Sequence, residues 1–167
     1  MKSFELNEYQ IFQMFSHDLG LVSAGPITDF NACTIGWGSL GSVWGGPNHV
    51  KPICTIYINE ARYTNEFLLK YDEFSVSFFE KDYYQDLMTL GTLSGRDTNK
   101  FEKTKLTPTE KGNVVIYPEA KMTLICKKVY WDKMKRDHFI DQDIVQKYYI
   151  EEEPHHFYMG EIIEVFE

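Results

Sequence analysis

The densest chemistry in this sequence lies at residues 94–100, Ser94-Gly95-Arg96-Asp97-Thr98-Asn99-Lys100. Ser94 and Gly95 permit a tight turn whose N–H groups converge on an anion. Arg96 and Lys100 add positive charge, and Thr98 could open a helix whose N-terminus favours an anion. A second candidate is Arg62-Tyr63-Thr64, at a junction from strand to helix. The planar fork of an arginine there can grip a phosphate. Each also has a plainer reading, a solvated turn for the first and a surface ion pair of Arg62 with Glu60 or Glu66 for the second.

A third stretch, residues 31–44, starts as a strand and becomes glycine-rich: Asn31-Ala32-Cys33-Thr34-Ile35-Gly36-Trp37-Gly38-Ser39-Leu40-Gly41-Ser42-Val43-Trp44. Small residues at 36, 38 and 41 let the backbone approach a flat partner, with Trp37 and Trp44 packed on it. The alternative is a glycine-bulged strand with core tryptophans. Gly36-x-Gly38-x-x-Gly41 matches the spacing of a dinucleotide fingerprint, and Glu60 sits near the expected acidic position. That fingerprint must open a helix, and Gly45-Gly46-Pro47 breaks one, so a doubly wound nucleotide fold is set aside.

Other chemistries find no foothold. His155 and His156 are successive residues at the start of a strand, so their side chains point to opposite faces and are poorly placed to share a metal. No GxSxG is present and no Ser or Cys has an evident base beside it, so no catalytic residue is assigned. Cys33, Cys54 and Cys126 are widely spaced, form no CxxC and lie in apolar runs, as small core residues do.

Positioning these groups requires many strands. Alternation and turn signals predict strands over 19–24, 29–37, 52–59, 73–79, 114–117, 120–131 and 156–166. Short helices are expected at 8–16 capped by Asn7, at 64–70 capped by Thr64, from a cap at Asp82 through Leu90 with Gly91 as the stop, and from a cap at Asp141 to about Tyr148. Residues 45–49 read as a loop. The chain of 167 residues reads as one domain over 1–167, mainly β with short helices (α+β), arranged as an antiparallel barrel.

Aromatic residues make up 16% of the chain, enough to cover a planar ligand or a subunit interface. The net charge of −8 argues against nucleic acid as a partner, because such binding needs a basic surface. An anionic ligand must then be met by a few chosen cations and backbone N–H groups. No leader-like start and no membrane-length apolar run is present, so a cytoplasmic location without membrane attachment is expected.

Taken in order, 31–38, Arg62-Tyr63-Thr64-Asn65-Glu66-Phe67, Phe74-Ser75-Val76-Ser77-Phe78-Phe79, 90–100 and His156-Phe157-Tyr158-Met159-Gly160-Glu161-Ile162 form a series. It resembles the flavin reductase-like, flavoredoxin-type family of FMN-binding split barrels, over nearly the whole chain. The resemblance implies an antiparallel split β-barrel, a homodimer, and FMN near the subunit interface. By matching position, Asn31, Ala32, Cys33 and Thr34 would border the isoalloxazine, and Trp37, Gly38 and Ser39 would lie beside the ring or ribityl chain. Arg62, Tyr63 and Thr64 would form the phosphate junction, closed by Ser94, Gly95 and Lys100, with His156 near the flavin or the dimer contact. The family often has Arg-Pro just before the Arg-Tyr-Thr junction; here Asn59-Glu60-Ala61 puts a carboxylate in that place. The implied function is an NAD(P)H-linked flavin reductase. The alternatives are a flavoredoxin-like carrier with a protein redox partner, or a flavin-binding module without turnover.

Overall fold

The computed structural model describes residues 10–46 and 50–167. The strands are β1 Gly20–Ala24, β2 Asn31–Ile35, β3 Gly38–Val43, β4 Lys51–Ile58, β5 Glu73–Phe78, β6 Thr109–Lys111, β7 Val114–Ile116, β8 Met122–Lys133 and β9 His156–Phe166. The helices are α1 Gln10–Ser16, α2 Tyr63–Lys70, α3 Tyr84–Thr92 and α4 Gln142–Tyr148. The expected cap of the first helix, Asn7, lies outside the described residues, as does part of the 45–49 loop.

Seven strands form one sheet in the order β2-β1-β5-β8-β9-β4-β3, and every pairing is antiparallel. The sheet does not close, because β2 and β3 are its two edges. Laid flat, six gaps of about 4.8 Å would hold those edges about 29 Å apart. Yet only Gly36 and Trp37 separate Ile35 from Gly38, and three Cα steps of about 3.8 Å span at most about 11 Å. The sheet must therefore curl until its edges nearly meet, which makes a barrel with a seam. The Tyr57 N–H donates to the Trp37 carbonyl at 3.4 Å, which carries the β3–β4 ladder one residue further, into the link.

Alternation decides what fills the curl. Val22, Cys33, Cys54, Ile56, Phe74, Val76, Phe78, Leu124 and Tyr158 belong to one buried cluster inside it. A second cluster lies outside β1 and β2, where Leu21, Ala32, Leu87, Leu90, Val115 and Tyr117 meet under α3 and the β6–β7 hairpin. This cover explains the alternating serines. Ser75 Oγ donates to the Val115 carbonyl at 2.5 Å, and Ser77 Oγ bonds Thr123 Oγ1 at 2.8 Å, so both are buried and satisfied.

Four local expectations change. Residues 38–43 are a strand, held by the β4 register from Gly38 opposite Ile56 to Val43 opposite Lys51. Trp37 and Trp44 are not core residues but 44% and 52% exposed. Arg62 rather than Thr64 occupies the N-cap of α2, and no side chain closes that turn. Gly91 lies inside α3, which ends only where the Leu93 N–H reaches the Thr89 carbonyl. At 141–148 the reading holds, with the Asp141 side chain accepting from the Asp143 N–H at 3.0 Å.

Candidate functional site

The seam opens into a cleft of about 460 Å³. Its walls come from the second half of β2, the Gly36–Trp37 link, the end of β4, Arg62, and the residues just before β9, Glu152 and His155. A smaller recess of about 90 Å³ continues from it, sharing Cys33, Ala61 and Arg62. The recess is lined by Asn31, Tyr63, Thr64, Ser94, Gly95 and Lys100 among others. Three stretches of sequence far apart thus converge: Trp37 and Arg62 on the cleft, Arg62 and Lys100 on the recess.

Burial governs the charge of the recess. Lys100 is 3% exposed, and its Nζ donates to the Ala32 carbonyl and, at 3.1 Å, to the Leu90 carbonyl. Among the described residues it forms no ion pair, and burial, with Arg62 nearby, pulls its pKa below the ordinary lysine value. Arg62 donates Nη1 to the Gly91 carbonyl at 2.5 Å and also pairs with no carboxylate among the described residues. The carboxylates expected to neutralise it are engaged elsewhere: Glu66 with Arg96, and Glu60 with Lys133 at 2.6 Å. Two cations without a counter-ion among the described residues, beside a helix start that no side chain caps, are an arrangement that suits an anion.

The walls of the recess are locked to each other. Asn31 Nδ2 donates to Thr64 Oγ1 at 3.0 Å, joining β2 to α2. A Cβ on Gly95 would stand 2.5 Å from Asn31 Oδ1, so a larger residue there would push the Asn31 side chain aside. Ser94 Oγ accepts from the Arg96 N–H at 3.2 Å, fixing the turn itself. Arg96 lies over the Tyr63 ring at 4.7 Å and donates to the Ala61 carbonyl, so it braces the rim rather than lining the recess. Thr98 starts no α-helix; a 3₁₀ turn begins at Lys100.

The cleft has an aromatic wall. Trp37 stacks on His155 with centroids 4.6 Å apart, and Tyr148 meets its edge at 6.1 Å. His155 Nδ1 bonds the Tyr149 hydroxyl at 3.2 Å, and burial lowers its pKa below the usual histidine value. Cys33 is buried and its thiol is pushed up by that burial. Thr34 donates its hydroxyl to the Leu87 carbonyl at 2.6 Å, which anchors β2 to α3.

Some residues singled out from sequence fall outside these two spaces. His156 lies on the other face of β9, 8% exposed, between Trp131, Tyr158 and Glu60. The residue facing the cleft is its neighbour His155. Gly38 and Ser39 line a separate apolar cavity beyond Trp37. Gly38 is required there by packing, because a Cβ would come within 2.3 Å of the Phe15 ring. Among the described residues, no group of three or more His, Cys, Asp or Glu side chains is arranged to hold a metal ion, and no helix is long and apolar enough to cross a membrane.

No family model matches the chain, and no curated protein sequence does. Solved structures match in shape. Flavoredoxin from Methanosarcina acetivorans superposes with a TM-score of 0.65 at 20% identity, over 89% of this chain and 67% of that one. An FMN-binding protein from Thermus thermophilus, solved with 1-cyclohex-2-enone bound, gives 0.66 at 19% identity, over 100% and 80%. A flavin reductase-like FMN-binding domain from Shewanella baltica gives 0.63 at 17% identity, over 98% and 75%. Identities this low speak to architecture: the chain is a mainly antiparallel split barrel with a few short helices.

Proposed function

We propose, from the premise that this chain shares the split-barrel fold of flavoredoxins and flavin reductase-like proteins, that it binds FMN and acts as an oxidoreductase reducing that flavin with NAD(P)H. The observation that carries the reading is the buried Lys100, without a counter-ion among the described residues, set with Arg62 in a recess that opens onto an aromatic-walled cleft. The cleft volume lies within the usual range for small-molecule sites. FMN, when bound, supplies hydride acceptance and one- or two-electron transfer, so no protein acid or base is strictly needed.

Lys100, Arg62 and the Tyr63-Thr64 turn would hold the phosphate, with Ser94 and Gly95 closing over it. A recess of about 90 Å³ suits a terminal phosphate better than a pyrophosphate carrying adenosine, which favours FMN over FAD. Cys33 and Thr34 would border the ring system along β2, and the Trp37–His155 stack would flank it. Asn31 lies at the recess instead. Ala32 turns its side chain into the cluster under α3 and takes part through the carbonyl that holds Lys100. Gly38 and Ser39 act through the position they give Trp37. Three buried free cysteines fit a reducing compartment such as the cytoplasm.

A second copy of the chain fits the outer face of β4, β9 and β8. Tyr57, Phe157 and Tyr130 form a continuous strip there, with centroids 6.3 and 5.9 Å apart. A redox-protein partner is the second reading, favoured by the cleft rim. Lys133 and Arg136 are already paired with Glu60 and Glu153, which leaves them poorly available to the phosphates of a nicotinamide dinucleotide.

The test is a visible spectrum of the purified protein after incubation with FMN and gel filtration, followed by NADH and NADPH additions under anaerobic conditions. Retained flavin bleached by either nucleotide supports the reductase. Retained flavin bleached only by dithionite supports the carrier, and a protein that takes up no FMN ends both.

A further inference from the structure

We propose that residues 149–153 form a movable strap along one wall of the cleft, pinned by Arg136, and that its lifting admits the ligand that meets the ring end of the site. The strap leads from α4 towards β9 and carries the run Glu151-Glu152-Glu153. Its far end is fixed, because the Met134 N–H donates to the His155 carbonyl at 3.0 Å and extends the β8–β9 ladder. Glu152 and His155 line the cleft, whereas no residue of 136–155 lines the recess. The strap therefore governs one end of the site and leaves the other alone.

Polar ties hold the strap down. Of residues 141–153 Tyr149 alone is buried, and Ile150 is 74% exposed, so little apolar area resists lifting. Arg136, in a 3₁₀ turn after β8, donates Nη1 to the Tyr149 carbonyl. Its Nη2 donates to the Glu152 carbonyl at 2.8 Å and to Glu153 Oε1 at 3.5 Å. One guanidinium thus spans both ends of the strap. Lys133 draws in Glu153 at 3.0 Å, and on the cleft side Asn59 Nδ2 donates to Glu152 Oε2 at 2.6 Å. Three successive carboxylates repel one another, and Arg136 with Lys133 offsets that repulsion. Ion pairs this exposed are weak singly, so the strap closes without being locked.

Lifting reaches the aromatic wall directly. The Tyr149 hydroxyl bonds His155 Nδ1 at 3.2 Å, and Tyr148 meets Trp37 edge-on at 6.1 Å, so the closed strap sets where both rings stand. In the flavin reading, on which this role rests, the phosphate stays with Lys100 and Arg62 while the strap passes the nicotinamide of NADH to the ring. The opening motion itself does not depend on that reading.

Hydrogen exchange and diethylpyrocarbonate labelling of flavin-free protein, both read by mass spectrometry, test the strap. In Arg136→Gln, amides 149–153 should exchange at least tenfold faster than in wild type. His155 should be carbethoxylated at least threefold faster, with the β5 amides unchanged. Arg136→Lys, which keeps the charge and loses the fork, should fall between. In FMN-loaded Arg136→Gln, FMN affinity should stay within twofold, and the second-order rate of flavin reduction by NADH should rise at least threefold. Wild-type rates at 149–153 and His155, or faster exchange spread equally over β5 in both variants, would overturn the proposal. So would equal reduction rates where NADH reduces the flavin of wild type and variant alike. A protein that refuses FMN, or whose FMN is untouched by NADH, while the strap loosens as expected, would sink the reductase reading and leave the strap standing.

Discussion

Lys100 donates its ammonium to the carbonyl of Ala32, across 68 residues of sequence, in a place where water hardly reaches and no carboxylate among the described residues answers it. A buried cation held only by carbonyl dipoles costs stability, so its retention points to a partner that arrives later. Lys100→Met keeps most of the side-chain volume and removes the charge. FMN affinity should fall about 10- to 100-fold, or roughly 1–3 kcal/mol, as loss of a charge-assisted bond does. The melting temperature of flavin-free protein should stay level or rise. Arg62→Ala should lose a similar amount of binding, and its exposed side chain predicts little change in folding. Fluorescence quenching of FMN measures the first quantity and calorimetry the second; unchanged affinity in both variants would place the phosphate elsewhere.

Binding should also depend on alkaline pH. Burial lowers the Lys100 pKa, so the free protein gives up this proton below the usual lysine range. A phosphate dianion favours the charged form and pulls the pKa back up. FMN affinity should therefore decline as pH rises through the depressed value, with proton uptake on binding in that window. Lys100→Met should flatten the profile.

Acid acts through the two histidines. Both have pKa values lowered from 6.5, chiefly by burial. Around His156 stand Glu60, which opposes the shift, Lys133, which adds to it, and Asp132, which opposes it. Because the folded state resists protons that the unfolded chain accepts, stability should fall as pH drops from about 6.5 towards the folded values. His156→Gln should reduce this slope in urea titrations at pH 5 and pH 7, and an unaltered slope would exclude His156 as a source.

Two glycines offer contrasting tests. Gly38→Ala drives a methyl into the Phe15 ring and should cost about 1–3 kcal/mol of folding stability, as overpacking does. Gly95→Ala meets the end of one side chain, Asn31 Oδ1, and breaks its geometry to Thr64. Its larger effect should be on FMN affinity, with the melting point shifted less than in Gly38→Ala.

The strands with clean alternation were legible from sequence because one face of each fills the curl; β4 and β5 are the clearest. β3 was not, since Gly38, Ser39, Gly41 and Ser42 have weak strand preference and only the register with β4 holds them extended. The convergence of 31–34, 62–64 and 94–100 followed from resemblance, while residue chemistry alone left each with a plainer alternative. Alternation also said that His155 and His156 oppose each other, but not which one meets the cleft. Glu60 looked like a threat to a phosphate beside Arg62. Its partner Lys133 lies 73 residues away, a distance no local pattern bridges.

The Gly36–Trp37 link fastens the first edge of the sheet to the last, and the cleft lies along that fastening. Prising the edges apart would dismantle the Trp37–His155 stack in the same motion. Release of a tightly held ligand and the first step of unravelling then become one event, and amide hydrogen exchange in β3 would slow in proportion to occupancy. A loaded chain would resist proteases at its weakest hem, and an empty one would be trimmed there first.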